Sequence, residues 1–89
     1  EEILKSVARF FNMRPSDIKS KKKNNSVVLP RQIAMFVMRK KTKLSLPEIG
    51  QHFGGKDHST VIYSINKIEN LMQEEKNVKD IVESLLKKV

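Results

Sequence analysis

Gly54 and Gly55 stand side by side between two stretches that each open with a helix-capping residue. Glycine adopts left-handed dihedrals without steric cost, so the pair ends one helix and lets the chain turn into the next. Upstream, Ser45 with Glu48 three residues on forms a capping box, and Pro47 is tolerated in a first helical turn. This predicts a short helix to about Phe53, buried through Ile49 and Phe53. Downstream, Asp57 is a good N-cap for a longer helix to about Glu75, with Val61, Ile62, Ile65, Ile68 and Met72 on its inner face. Two helices joined by a glycine-containing turn predict a helix-turn-helix over about 45–75.

The flanking sequence is helical too. Ile3, Leu4, Val7, Ala8, Phe10 and Phe11 recur three and four apart, the period of an amphipathic helix. Asn12-Met13-Arg14 breaks that period, and Pro15 with Ser16-Asp17-Ile18 allows one further turn. Ser20 to Val28 has no helical period and reads as an exposed basic loop. Pro30 suits the first turn of a new helix, with Ile33, Ala34, Phe36 and Val37 inward and Arg39-Lys40-Lys41 complementing the dipole at its C-terminal end. Asn77 is the expected cap of a last helix through Leu86, which uses Val78, Ile81, Val82, Leu85 and Leu86. Phe10, Phe11, Phe36 and Phe53 sit on apolar faces and are expected in the core, with Met35 and Met38 as packing residues. There is no strand pattern and no internal repeat. The expected fold class is therefore all-α, one multi-helix domain over residues 1–89, and the uncapped start at Glu1-Glu2 suggests a fragment of a longer protein.

Composition removes several classes of function. No apolar run approaches the roughly 18 residues of a membrane span, and no leader resembles a signal peptide. Without cysteine there is no disulfide, thiolate nucleophile or cysteine-type zinc site, which suits a reducing cytoplasm. His52 and His58 lie six apart across the glycine turn with no third ligand nearby, so no metal site is expected. His58 also has no nucleophile or orienting partner, and no glycine-rich loop of the P-loop type is present. An enzyme is not expected. Charge carries more information: the net is +8, with residues 1–43 at +9 and residues 44–89 at −1. A basic excess concentrated this way favours a polyanionic partner.

The helix after Asp57 shows where such a partner would lie. With Val61, Ile65, Ile68 and Met72 inward, Lys56, Ser59, Thr60, Tyr63 and Lys67 fall on the opposite stripe. In a helix-turn-helix the second helix enters the major groove and its first residues touch base edges. Asp57 has two readings, an N-cap alone or an acceptor for a cytosine N4 amino group as well. Lys21, Lys22 and Lys23 read as a solvated loop or as phosphate contacts. Arg31 and Arg39, eight apart on one helix, are expected on its solvated side within reach of phosphates.

GGKDHSTVIYSINKIE resembles the signature of the C-terminal DNA-binding domain of the DnaA family, the bacterial chromosomal replication initiators. Upstream, PRQIAMFVMRKKTKLSLPEIGQHF is similar to the same family's stretch, and the resemblance covers essentially the whole chain. It implies recognition of double-stranded DNA at origin DnaA boxes of the TTATNCACA type, in a bacterial, nucleoid-associated cytoplasmic setting. It further implies that Asp57 reads a cytosine, that His58 and Ser59 meet thymines, and that Lys23 enters the adjacent minor groove. Thr60, Tyr63, Lys67, Arg31 and Arg39 match positions at or near the phosphate backbone, and Leu46 and Pro47 match positions where the preceding helix meets DNA. The family usually has arginine at Lys23 and threonine at Ser59, so weaker minor-groove and thymine-methyl discrimination is expected. ATP and magnesium are implied only for an upstream domain of the parent protein, with no cofactor here. The asymmetric site type implies a monomer.

A helical protein-interaction module docking acidic partners is the alternative class. It requires no base preference, which competition with random duplex tests. RNA binding is disfavoured because no aromatic platform is expected on the surface.

Overall fold

The computed structural model describes residues 2–89; Glu1, part of the uncapped start, lies outside them. These residues form helices α1 (Glu2–Phe10), α2 (Pro15–Lys19), α3 (Asn25–Lys41), α4 (Leu46–Gln51), α5 (His58–Glu74) and α6 (Lys76–Lys88). No strand occurs among the described residues. Their Cα radius of gyration is 11.7 Å, close to the ~12 Å expected of a single compact domain this long.

α3 is the axis of the molecule. Ile33, Ala34, Met35, Phe36, Val37 and Met38 are buried in succession, so this helix is covered on every side rather than along one stripe. α1, α2, α4, α5 and α6 all pack against it. Leu4 and Val7 of α1, Ile18 of α2, Ile49 of α4, Val61 and Ile68 of α5, and Val82 and Leu85 of α6 complete one core with Phe53. α5 is held between α3 and α4, with α6 folded back on it, which leaves one long side of α5 uncovered.

Four local expectations change. α3 begins at Asn25, not Pro30, because Asn24 is extended and its carbonyl accepts from both the Val27 and Val28 amides at 3.1 Å. The basic loop shrinks accordingly to Ser20–Asn24, and Pro30 lies inside the helix with its ring buried, at the loss of one ladder hydrogen bond. α6 begins at Lys76 after the extended Glu75, so Asn77 is in its first turn and not its cap. Phe10 is 40% exposed at the last position of α1, edge-on to Phe11 at 5.2 Å and with the Lys88 amine 5.9 Å from its ring centre. Ile62 is also exposed, and Ser64 takes the buried place on α5 that the apolar period assigned to it. The Asn12 break holds: this residue is left-handed at φ 56°, a conformation asparagine tolerates, and the Met13 amide closes back on the Ala8 carbonyl at 2.8 Å.

Candidate nucleic-acid interface

The turn that presents α5 is built from capping bonds and three glycines. Ser45 and Glu48 exchange the bonds of a capping box, the Ser45 amide donating to Glu48 Oε1 at 2.8 Å and Ser45 Oγ accepting from the Glu48 amide at 3.2 Å. That exchange holds the Glu48 carboxyl below the usual carboxylate range. α4 stops at Gln51, and Gly54 (φ 77°) and Gly55 (φ 80°) reverse the chain in left-handed conformations. Sequence reasoning missed the third glycine. Gly50 is buried in α4, its carbonyl accepts from the Phe53 and Lys56 amides, and a Cβ there would overlap the Lys56 carbonyl oxygen. A glycine inside the otherwise helical LPEIGQHF was the available signal.

Asp57 then starts α5. Its backbone is extended and its Oδ1 accepts from the Thr60 amide at 3.0 Å, so the cap reading is correct as far as it goes. The same bond holds the exposed Asp57 carboxyl below its ordinary range, so the group is an anionic acceptor at neutral pH. Beyond it, His58, Ser59, Thr60, Tyr63 and Lys67 are exposed while Val61, Ser64 and Ile68 are buried. The exposed Ile62 lies on the same outer side. Leu46 is half-buried and Pro47 exposed at the start of α4.

Lys56 is half-buried beside the turn, not fully in solvent as the periodicity suggests. Burial lowers its pKa, and the charges of Arg31, Lys21 and Lys23 lower it further. Residues distant in sequence thus converge: the loop after α2 lies beside the N-terminus of α5. Gly54 marks the junction, since a Cβ on it would sit 3.5 Å from the Lys19 carbonyl oxygen. Of the three consecutive lysines, Lys22 is exposed with its Nζ 3.9 Å from Asp17 Oδ1.

The two arginines of α3 part company. Arg39 is exposed and its Nη1 donates to the Leu44 carbonyl at 3.1 Å, bracing the link to α4. Lys40, next to it, leans toward Glu69 at 3.9 Å. Arg31, expected on the solvated side, is instead 6% exposed. Its Nε donates to the Ile18 carbonyl at 2.8 Å and its Nη2 to the Ser20 carbonyl at 2.7 Å. The expectation failed because Arg31 stands three, four and seven residues before Ala34, Met35 and Met38, all buried, and so shares their side of α3. Met35 and Met38 carried that signal.

This arrangement has relatives. The family profile described as "Bacterial dnaA protein helix-turn-helix" matches residues 1–68. The chain belongs to the bacterial DnaA helix-turn-helix family. It is 51% identical over 89 residues to the chromosomal replication initiator protein DnaA of Geotalea uraniireducens, covering all of this chain and 20% of that protein. The DnaA protein of Thermus thermophilus is 43% identical over 84 residues, or 94% of this chain and 19% of the relative. The chain thus spans about a fifth of the length of these DnaA relatives. A crystal structure described as a DNA replication initiation factor superposes with a TM-score of 0.87 at 36% identity, over 98% of this chain and 26% of that one. The all-α class and the helix-turn-helix of a DnaA DNA-binding domain are both borne out.

Proposed function

We propose that this DnaA domain binds double-stranded DNA at DnaA boxes of the TTATNCACA type in the replication origin, laying the outer side of α5 in the major groove and the Lys21–Lys23 loop along the adjacent minor groove. One observation carries the reading: the chain end of α2 that leads into Lys21–Lys23 rests against the glycine turn that leads into the exposed start of α5. A Cβ on Gly54 would lie 3.5 Å from the Lys19 carbonyl oxygen, and Lys21 and Lys23 are close enough to Lys56 to lower its pKa. A basic surface of this kind gains by releasing counterions from a phosphate backbone. In this reading Asp57 accepts from a cytosine N4 amino group, while His58 and Ser59 lie against thymines. Lys56, Thr60, Tyr63, Lys67, Lys22 and Arg39 meet phosphates, and Leu46 and Pro47 rest on the backbone beside α4. Lys23, a strongly hydrated ammonium, enters the minor groove less favourably than arginine, so base discrimination rests mainly on α5.

The domain acts as a monomer on an asymmetric site, needs no cofactor and performs no catalysis itself. It serves initiation and regulation of chromosome replication in the bacterial cytoplasm, with nucleotide chemistry assigned to other parts of the parent protein. The relatives' description as chromosomal replication initiators supports that placement. Fluorescence anisotropy on a TTATNCACA duplex and a scrambled one, at two salt concentrations, tests the reading. Affinity for the box should exceed that for the scrambled duplex by about tenfold or more at both. Equal affinities would instead favour a module that docks acidic surfaces without reading sequence.

A further inference from the structure

Arg31 is the one ionisable side chain that the fold buries among the described residues, and the bonds that hold it go to backbone carbonyls. Removing a guanidinium from water is costly unless its donors are met, and burial accordingly lowers its pKa. The two acceptors sit where α2 gives way to the loop: Ile18 is in the last turn of α2 and Ser20 is its C-cap. Carbonyls at a helix C-terminus lack partners in their own helix, and a planar fork meets two of them at fixed angles. The second acceptor immediately precedes Lys21. Ser20 tightens the same corner, its Oγ donating to the Asp17 carbonyl at 2.7 Å and accepting from the Lys22 amide at 3.3 Å.

We infer that Arg31 is a positioning residue for minor-groove recognition: its fork ties the start of the Lys21–Lys23 loop to α3, and so aims Lys23 relative to α5. It acts through the loop and not by touching a phosphate. The inference rests on the DNA-binding reading above and adds to it a residue that governs specificity from inside the fold. Because α3 packs on α5, the tie fixes the direction of the loop against the helix that lies in the major groove. Lysine cannot replace this residue, since a single ammonium does not span two carbonyls in a fixed plane.

A double-mutant cycle with Arg31→Lys and Lys23→Ala tests the inference. The readout is the ratio of affinities for duplexes with A·T or G·C pairs beside the major-groove site. Arg31→Lys should reduce that ratio about threefold or more, and in a chain already carrying Lys23→Ala it should change nothing further. The salt dependence should stay as in the wild type, because the charge is kept. Additive losses would make Arg31 an independent contact, and an unchanged ratio would make it a core residue only; either overturns the inference. Hydrogen exchange without DNA gives a separate readout that survives failure of the DNA-binding reading. Arg31→Lys should speed exchange at the Ser20 and Lys22 amides, which donate to the Asp17 carbonyl and to Ser20 Oγ, and spare those of α5. Unchanged protection at these two amides refutes the tie. Should Arg31→Lys not fold, Arg31→Gln keeps a planar amide that reaches one of the two carbonyls at most. Retention of the full A·T preference in that variant would equally refute the tie.

Discussion

Asp57 closes the first turn of α5 by accepting from the Thr60 amide at 3.0 Å, and in the proposed complex the same carboxylate faces a cytosine. Asp57→Asn and Asp57→Ala separate the two roles. Asparagine keeps an oxygen for the Thr60 amide but pairs best with adenine, so Asp57→Asn should unfold at nearly the wild-type urea midpoint and lose about tenfold of its preference for cytosine at one box position. Asp57→Ala should lose that preference and also unfold at lower urea. Cytosine preference unchanged in both variants would leave the residue a cap alone. The cap was legible in the sequence because capping depends on a few adjacent residues. Burial of Arg31 was not read, although Ala34, Met35 and Met38, three, four and seven residues on, set its side of α3.

At the scale of elements, α4 and α5 were legible nearly to the residue, since a capping box and a glycine pair both act locally. The start of α3 was not. Asn24-Asn25-Ser26 has the composition of a loop, and the burial of Val27 that makes it a first turn depends on the rest of the fold. Gly50 is the corresponding case inside α4. Alanine is favoured over glycine in a helix by about 1 kcal/mol, yet the added methyl group would overlap a backbone carbonyl that cannot rotate away. The overlap should win. Gly50→Ala is expected to destabilise the domain by about 1–3 kcal/mol in urea unfolding, and a variant as stable as the wild type would show that the turn has slack.

Across the whole molecule, the +9 of residues 1–43 against the −1 of residues 44–89 gives a charge asymmetry visible before any folding. The sequence does not reveal that Lys56, from the less basic half, joins Lys21 and Lys23, because that depends on the end of α2 resting against the glycine turn. If about five to seven phosphates are neutralised, a plot of log affinity against log salt should slope at roughly −4 to −6. A slope near zero, measured by anisotropy titration, would remove the electrostatic basis of binding. The contact at Gly54 has a geometric consequence. The lysine loop and the first turn of α5 leave from one joint, so neither can slide along a duplex without dragging the other. In the proposed complex, two probes with a common origin and different grooves to occupy would have a single polarity in which both fit. Successive copies along an origin would then take their heading from the DNA itself.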